Sequence, residues 1–324
     1  MSIEFKIINE IFGRRAGAAA NVLLGIGDDA AITRIPDGCD LVTATDALVE
    51  GTHFLAGAPA RSVGHRSLAV NLSDLAAMSA QPLWASLALG LPHYDRAWLE
   101  EFAEGFFALA DRYAVRLIGG DTVRSSNLFA AITVQGFVPQ GAGVRRSGAR
   151  PGDLIFVTGH PGDAAAGRHL MAAQPAPAQS GGHAADSLYR KFCFPEPRLA
   201  AGQLLRSAAS AMIDLSDGLH ADLGRLLAAS NAGAILDVTR LPLSAEIRRT
   251  FDFHSAIAFA LCGGEDYELC FTLPPEKLAV LHGLDEQADC VFTMIGEVSS
   301  KGELEWTESG ERYTVPTSGF EHFE

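Results

Sequence analysis

Residues 211–230, AMIDLSDGLHADLGRLLAAS, read as an apolar strand that enters a turn holding Asp214, Ser216 and Asp217, followed by a helix to about residue 230. The same order of strand, acidic turn and helix recurs in both directions. Upstream, LIFVTG (154–159) is a strand with a helix starting at 162, and further helices fall near 185–192 and 197–209. Downstream, AILDV (234–238), YELCFTL (267–273) and VFTMIGEV (291–298) read as strands. Towards the N-terminus, Ile3, Ile7, Ile8 and Ile11 have helical spacing over 3–13, and LLGIGDDAAI (23–32) is an apolar stretch broken by Gly and Asp. Strands are expected at 40–49, 85–91 and 128–138, and helices at 61–80 and 95–113. VRLIGGDT (115–122) reads as a strand running into a Gly-Gly-Asp turn. Such interleaving predicts α/β or α+β with two lobes. The Gly-rich, basic stretch GAGVRRSGARPGD (141–153) is the expected linker between domains at 1–140 and 154–324, and QPAPAQSGGHA (174–184) the expected mobile loop.

Composition narrows the function. The 324 residues carry a net charge of −14, and the last 75 hold 15 acids against 3 bases. A chain this acidic is a poor tracker of nucleic-acid backbones, so no nucleic-acid partner is expected. The five cysteines contain no C-x-x-C pair, and the N-terminus lacks an apolar signal core, which together fit a cytoplasmic protein. No apolar run approaches the ~18 residues of a membrane span.

Five words put Asp beside small residues: GIGDDAA (25–31), TATDALVEGTHF (43–54), NLSDLAAM (71–78), IGGDT (118–122) and MIDLSDGL (212–219). Each is read as an Asp at a strand end or helix start. Singly, such an Asp is a turn former or helix cap. Together they suggest a metal–polyphosphate site, because Mg²⁺ is held by carboxylate and phosphate oxygens and small residues let the backbone approach a phosphate. Leu72-Ser73-Asp74 and Gly119-Gly120-Asp121 echo Leu215-Ser216-Asp217 and Gly263-Gly264-Glu265 at nearly equal spacing. The echo is either chance or the trace of two related halves.

Absent motifs sharpen this. There is no Gly-Lys dipeptide, hence no P-loop, and no protein-kinase, G-x-S-x-G, H-E-x-x-H or G-x-G-x-x-G signature. If ATP is handled, metals must replace the P-loop lysine.

With RSGARPGD, TGHPGDAAAG, IDLSDGLHADL, GGEDYELCFT and the terminal SGFEHF, the words stand in an order that resembles the thiamine-monophosphate kinase family, within the wider aminoimidazole-ribonucleotide-synthetase-like group. The resemblance implies two α/β lobes, the N-terminal one forming a β-barrel across a homodimer. It also implies transfer of the ATP γ-phosphoryl group to thiamine monophosphate with several Mg²⁺ ions, the last step towards thiamine diphosphate. Matched position by position, Asp29, Ala44, Thr45, Asp46, Asp74, Asp121, Asp214 and Asp217 fall on metal-binding places, with Asp28 adjacent. Ala44 stands where a serine is usual and offers only its carbonyl. Gly120 and Asp121 match the nucleotide loop, Arg146 and Ser216 phosphate contacts, and His53, Glu265 and Phe320 the substrate side. Asp46, Asp121, Arg146 and Asp217 are the expected catalytic set. Ser79 replaces a usual glycine, Ala164 a serine, and Phe194 an arginine.

The chemistry agrees with the residues. A phosphate nucleophile, with a second pKa of about 6, needs no general base at neutral pH. Transfer then depends on in-line positioning and on neutralising charge. The rival enzymes are an aminoimidazole ribonucleotide or a selenophosphate synthetase. The latter is expected to carry a reactive Cys near the N-terminus, whereas the first Cys here is Cys39, in a polar turn. The non-enzyme rival, a nucleotide-binding regulator, would have lost the carboxylates.

Overall fold

A computed structural model describes residues 3–17, 19–173, 182–300 and 302–316. Most of the loop expected at 174–184 lies outside the described residues, as does Phe320. The chain divides into two compact units, one of 1–75 with 80–141, the other of 76–79 with 142–324.

The first unit is built on one four-stranded sheet. Its strands are β3 (Cys39–Val49), β4 (Gln81–Leu91), β5 (Arg116–Arg124) and β6 (Phe129–Pro139), in the order β3-β6-β4-β5. β6 is antiparallel to both neighbours, while β4 and β5 are parallel. A parallel pair needs a crossover, and α3 (Arg96–Arg112) supplies it. Asp95 caps α3 by accepting from the Trp98 amide at 3.2 Å, and Leu99, Phe102 and Phe106 bury its apolar stripe. α2 (Ala60–Ala77) is buried almost all round. It crosses α3 where both helices have glycine: a side chain at Gly64 would sit 2.0 Å from the Phe102 carbonyl oxygen, and one at Gly105 1.9 Å from that of Arg61. The N-terminal segment is helical, α1 (Ile3–Lys6) continuing as a π-helix over Ile7–Gly13, and β1 (Val22–Leu24) pairs with β2 (Ile32–Thr33) in a separate two-stranded sheet.

The four-stranded sheet ends at β3 and β5, and no closed barrel forms among the described residues. β5 runs unbroken through Gly119-Gly120-Asp121, where the sequence predicted a turn. Parallel pairing with β4 holds it extended, and Gly120 is needed there because a Cβ would lie 1.8 Å from the Leu87 carbonyl oxygen.

The second unit holds a seven-stranded sheet in the order β13-β12-β9-β11-β7-β10-β8. The strands are β7 (Leu154–Thr158), β8 (Ala211–Asp214), β9 (Gly233–Asp237), β10 (Leu269–Leu273), β11 (Phe292–Ser299), β12 (Leu304–Glu308) and β13 (Glu311–Tyr313). Only β9 and β12 pair in parallel. Its helices are α4 (Asp163–Ala173), α5 (Gly182–Cys193), α6 (Leu199–Leu205), α7 (Leu219–Ala229), α8 (Ala245–Thr250), α9 (Phe253–Cys262) and α10 (Leu284–Ala288). Leu219, Leu223 and Leu226 of α7 and Ile257 and Leu261 of α9 pack with Ile155 and Val157 of β7 in its main core. No described helix is long and apolar enough to cross a membrane.

Past α2 the chain reverses at Ser79. The Ser79 amide bonds to the Ala76 carbonyl at 2.9 Å and the Ala80 amide to that of Leu75 at 2.8 Å, the pattern in which a helix ends on a left-handed residue. That residue is Ser79, with φ of 58°. It is fully buried, its hydroxyl has no hydrogen-bond partner, and its carbonyl accepts two bonds from the Arg206 guanidinium at 2.6 and 3.2 Å.

The internal echo is not a structural repeat. Leu72-Ser73-Asp74 lies inside helix α2, whereas Leu215-Ser216-Asp217 is the turn between β8 and α7. Gly119-Gly120-Asp121 is strand, and Gly263-Gly264-Glu265 is a loop after α9.

Candidate active site

The residues singled out by sequence fall into three groups, two in the first unit and one in the second.

The first group lines a cavity of about 690 Å³ in the first unit. Asp28 and Asp29 come from the loop between β1 and β2, Gly119 to Thr122 from β5, Ser86 and Leu87 from β4, and Ile8, Asn9 and Phe12 from the N-terminal helix. Asp28 turns its Oδ1 onto the Asp29 amide at 2.8 Å. A side chain at Gly27 or Gly119 would meet nothing within 4 Å, so backbone there leaves room for a bulky ligand. Carboxylate oxygens, bare backbone and a roomy cavity fit a magnesium–polyphosphate ligand in donor chemistry and in size.

The second group lies on β3 and α2. Thr45 Oγ1 is 2.8 Å from Thr133 Oγ1 across the β3–β6 pair. The Asp46 amide donates to Asn71 Oδ1 at 2.9 Å, and the fully buried Asn71 donates in turn to the Ser67 carbonyl at 2.9 Å. Asn71 thus ties α2 to the backbone of β3, and half-buried Asp74 stands one turn further along the helix. Ala44 is a half-buried neighbour of Thr45 in the strand. His53 sits in the tight loop after β3. Its Nδ1 accepts from the Val49 amide at 3.1 Å, which puts the ring hydrogen on Nε2, and its carbonyl accepts from buried Arg66 at 2.9 Å.

The third group surrounds the turn after β8. Buried Asp214 ends the strand opposite Leu269. Ser216 and Asp217 both donate their amides to Asp222 Oδ2 at 3.0 Å. Arg225 Nη1 reaches Asp217 Oδ2 at 2.5 Å and Asp222 Oδ1 at 2.6 Å. Burial pushes the Asp222 carboxyl up to about 7; the charges of Asp214 and Asp217 add to this, while the Asp217 amide and Arg225 oppose it. The GGEDYE loop packs on this turn. The Glu265 amide bonds to the Ser216 carbonyl at 2.8 Å and the Tyr267 amide to that of Leu215 at 2.9 Å, while the Tyr267 hydroxyl donates to Glu265 Oε2 at 3.0 Å. Gly264, with φ of 67°, brings its backbone so close that a Cβ would be 2.5 Å from the Ser216 oxygen. Arg146 is exposed in the segment before β7; the Met212 amide bonds to the neighbouring Arg145 carbonyl at 2.9 Å, which lays that segment along β8.

The other acids of the GGEDYE loop are built into the fold. Asp266 is half-buried and accepts from the Gly162 and Ala164 amides at 2.7 and 3.1 Å, closing the start of α4. Glu268 forms a bidentate pair with Arg198, at 2.6 and 2.5 Å, and accepts from Thr158 at 2.6 Å. Burial alone would raise its carboxyl, but Arg198 holds it below the usual range. Asp163 accepts from Ser244 at 2.6 Å, and burial pushes it up to about 6.

The sequence expected each Asp at an element's edge. Of the five words only the two looped ones conform: Asp46 and Asp121 lie inside strands and Asp74 inside a helix. Both strands are sheet edges, whose exposed faces tolerate a carboxylate. Two strands separate β3 from β5, so Asp46 and Asp121 are about 14 Å apart along one sheet at normal strand spacing. Among the described residues no three His, Cys, Asp or Glu side chains converge closely enough to hold an ion. Asp222 and Arg225, which organise the third group, were passed over in IDLSDGLHADLGR; their signal was the three-residue spacing of opposite charges beside the acidic turn.

Residues 27–138 match the family model of the AIR synthase related protein N-terminal domain, and residues 150–307 that of its C-terminal domain. Thiamine-monophosphate kinase of Escherichia coli K12 is 44% identical over 323 residues, covering 99% of this chain and 98% of that one. The crystal structure of thiamine-monophosphate kinase from Stenotrophomonas maltophilia K279a superposes with a TM-score of 0.88 at 40% identity, over 96% of this chain and 98% of that chain. A structure of AaThiL complexed with AMPPCP and TMP superposes with a TM-score of 0.79 at 29% identity, over 99% and 97%.

Proposed function

The chain belongs to the AIR synthase related family and, within it, to the thiamine-monophosphate kinases, and from that membership we propose that it transfers the γ-phosphoryl group of ATP to thiamine monophosphate, giving thiamine diphosphate and ADP. The structural observation that carries this reading is the cavity that gathers Asp28, Asp29, Gly120 and Asp121 around open backbone at Gly27 and Gly119. It offers hard oxygen donors and space, and no lysine.

Bound Mg²⁺ supplies charge neutralisation between two polyanions and a template for in-line attack. In the first unit the carboxylates of Asp29, Asp46, Asp74 and Asp121, the Thr45 hydroxyl and the Ala44 carbonyl would hold such ions, and in the second unit the carboxylates of Asp214 and Asp217 would do so. The protein's own part is placement. Asn71 fixes the Asp46 backbone, and Arg225 and Asp222 fix Asp217. Arg146 and the Ser216 turn hold phosphate oxygens; His53, Glu265 and Phe320 hold the substrate. No side chain has to take a proton, since the acceptor phosphate is already anionic. In keeping with this, His53 Nδ1 is already engaged by the Val49 amide.

The reading extends to a homodimer in which two such sheets close a barrel. It is supported by the unpaired edges at β3 and β5 and by exposed Leu41 and Val123 on those strands. None of the five cysteines is in a disulfide, in keeping with a cytoplasmic enzyme. The test is ADP release by purified protein with Mg²⁺ and ATP, offered thiamine monophosphate, thiamine, an aminoimidazole precursor or water. Turnover only with thiamine monophosphate is expected. Faster turnover with the aminoimidazole precursor would move the protein to a sibling activity.

A further inference from the structure

The turn at Asp217 is held by two residues that the reading above leaves without a role in ligand binding. Asp222 is 1% exposed, and one of its oxygens takes both turn amides. Arg225 sets a single nitrogen between Asp217 Oδ2 and Asp222 Oδ1. The two carboxylates differ in access: the Asp217 side chain is 27% exposed and that of Asp222 is closed to solvent. An ion arriving from solution therefore meets Asp217 and finds a guanidinium already there. If the guanidinium gives up Asp217 it keeps Asp222, so the exchange strands no buried charge, which would otherwise be costly.

We propose that Asp222 and Arg225 are positioning residues for divalent-cation binding at Asp217, Asp222 fixing the turn's backbone and Arg225 acting as a tethered cation that the incoming ion displaces. The proposal rests on the reading of Asp217 as a cation ligand.

The test is a Mn²⁺ titration of the full-length protein with ATP present at low salt, read as loss of the free-ion electron paramagnetic resonance signal. Asp217→Asn is expected to weaken binding. Arg225→Gln is expected to tighten it about fivefold, the scale of a half-exposed ion pair. Arg248→Gln, an exposed charge control on α8, changes it less than about twofold. In Asp217→Asn/Arg225→Gln the gain disappears. Asp222→Ala weakens binding about tenfold, as loss of a ligand's supporting partner does. Asp222→Asn, which keeps an oxygen for the two amides, restores most of that. Wild-type affinity in Asp217→Asn would refute the ligand reading itself. Weakened binding there, but Arg225→Gln no tighter than Arg248→Gln, or Asp222→Asn no better than Asp222→Ala, would overturn the positioning pair.

Discussion

Ser79→Gly is expected to make the protein more stable. The residue ends α2 in the left-handed conformation, with φ of 58°, which costs an L-residue about 1–2 kcal/mol relative to glycine. Glycine gives back about 0.5–1 kcal/mol through greater freedom in the unfolded chain. The Ser79 hydroxyl is buried without a partner, and removing such a group relieves about 1 kcal/mol or more. The carbonyl that Arg206 holds is untouched by the change. The net gain is about 1.5–2 kcal/mol, or about 3–8 °C in the melting of a unit this size. Ser79→Ala isolates the hydroxyl and is expected to give about 1 kcal/mol. Urea and thermal unfolding of the three proteins, followed by circular dichroism, decide the matter. A glycine variant less stable than alanine would refute the backbone argument, and an alanine variant no more stable than wild type would refute the argument from the hydroxyl.

Three further outcomes follow from the site and its surroundings. Asp46→Asn and Asp121→Asn are expected to lower kcat about 100-fold or more while circular dichroism and melting stay unchanged; wild-type turnover in either would remove that residue from the metal site. Glu265→Ala and Phe320→Ala are expected to raise the KM for thiamine monophosphate about tenfold and that for ATP little, since a lost charge-assisted hydrogen bond at Glu265 or a lost cation–π contact at Phe320 is worth about that much; equal changes would count against a substrate role. Asp163 is raised from 3.8 to about 6 by burial, so its neutral form stabilises the fold below about pH 4 and that contribution is lost as pH rises through 6, a span worth about 3 kcal/mol. Asp163→Asn keeps an oxygen for Ser244 and is expected to stabilise the protein at pH 8 by up to about 3 kcal/mol but not at pH 3.5. The same gain at both pH values would show that the effect is not electrostatic.

The periodic elements of the fold could be read directly from the chain. Strands at 40–49 and 128–138 and the helix at 95–113 appear within a residue or two, because alternation and the Phe102–Phe106 stripe are local signals. What escaped was set by tertiary pairing. Gly119-Gly120-Asp121 has the composition of a turn, yet pairing with β4 beside it keeps it in the strand. The short strands β12 and β13 are rich in Glu and are strands because β9 accepts β12, and β12 accepts β13. Two of the acidic words come together, since Asp28, Asp29, Gly120 and Asp121 share a cavity. Their order in the chain could not say that Asp46 and Asp121 stand on opposite edges of one sheet. Nor could it show that Asp266 and Glu268, in the same loop as Glu265, are tied into the fold by the α4 amides and by Arg198.

The bare edge of β3 has a consequence for how the protein comes into being. Among the described residues no strand pairs with the side of β3 that faces away from β6, although Asn71 takes the Asp46 amide, and the strand carries exposed leucine and threonine. Such an edge bonds to any extended chain within reach, its own kind or not. The danger is greatest during and just after synthesis, when the strand has formed and nothing yet covers it. In the proposed homodimer, crowded overproduction sets two second-order processes in competition on the same surface, correct pairing and stray association. Charged substitutions at Leu41 or Thr43 would spare the newborn chain the second only by forbidding the first.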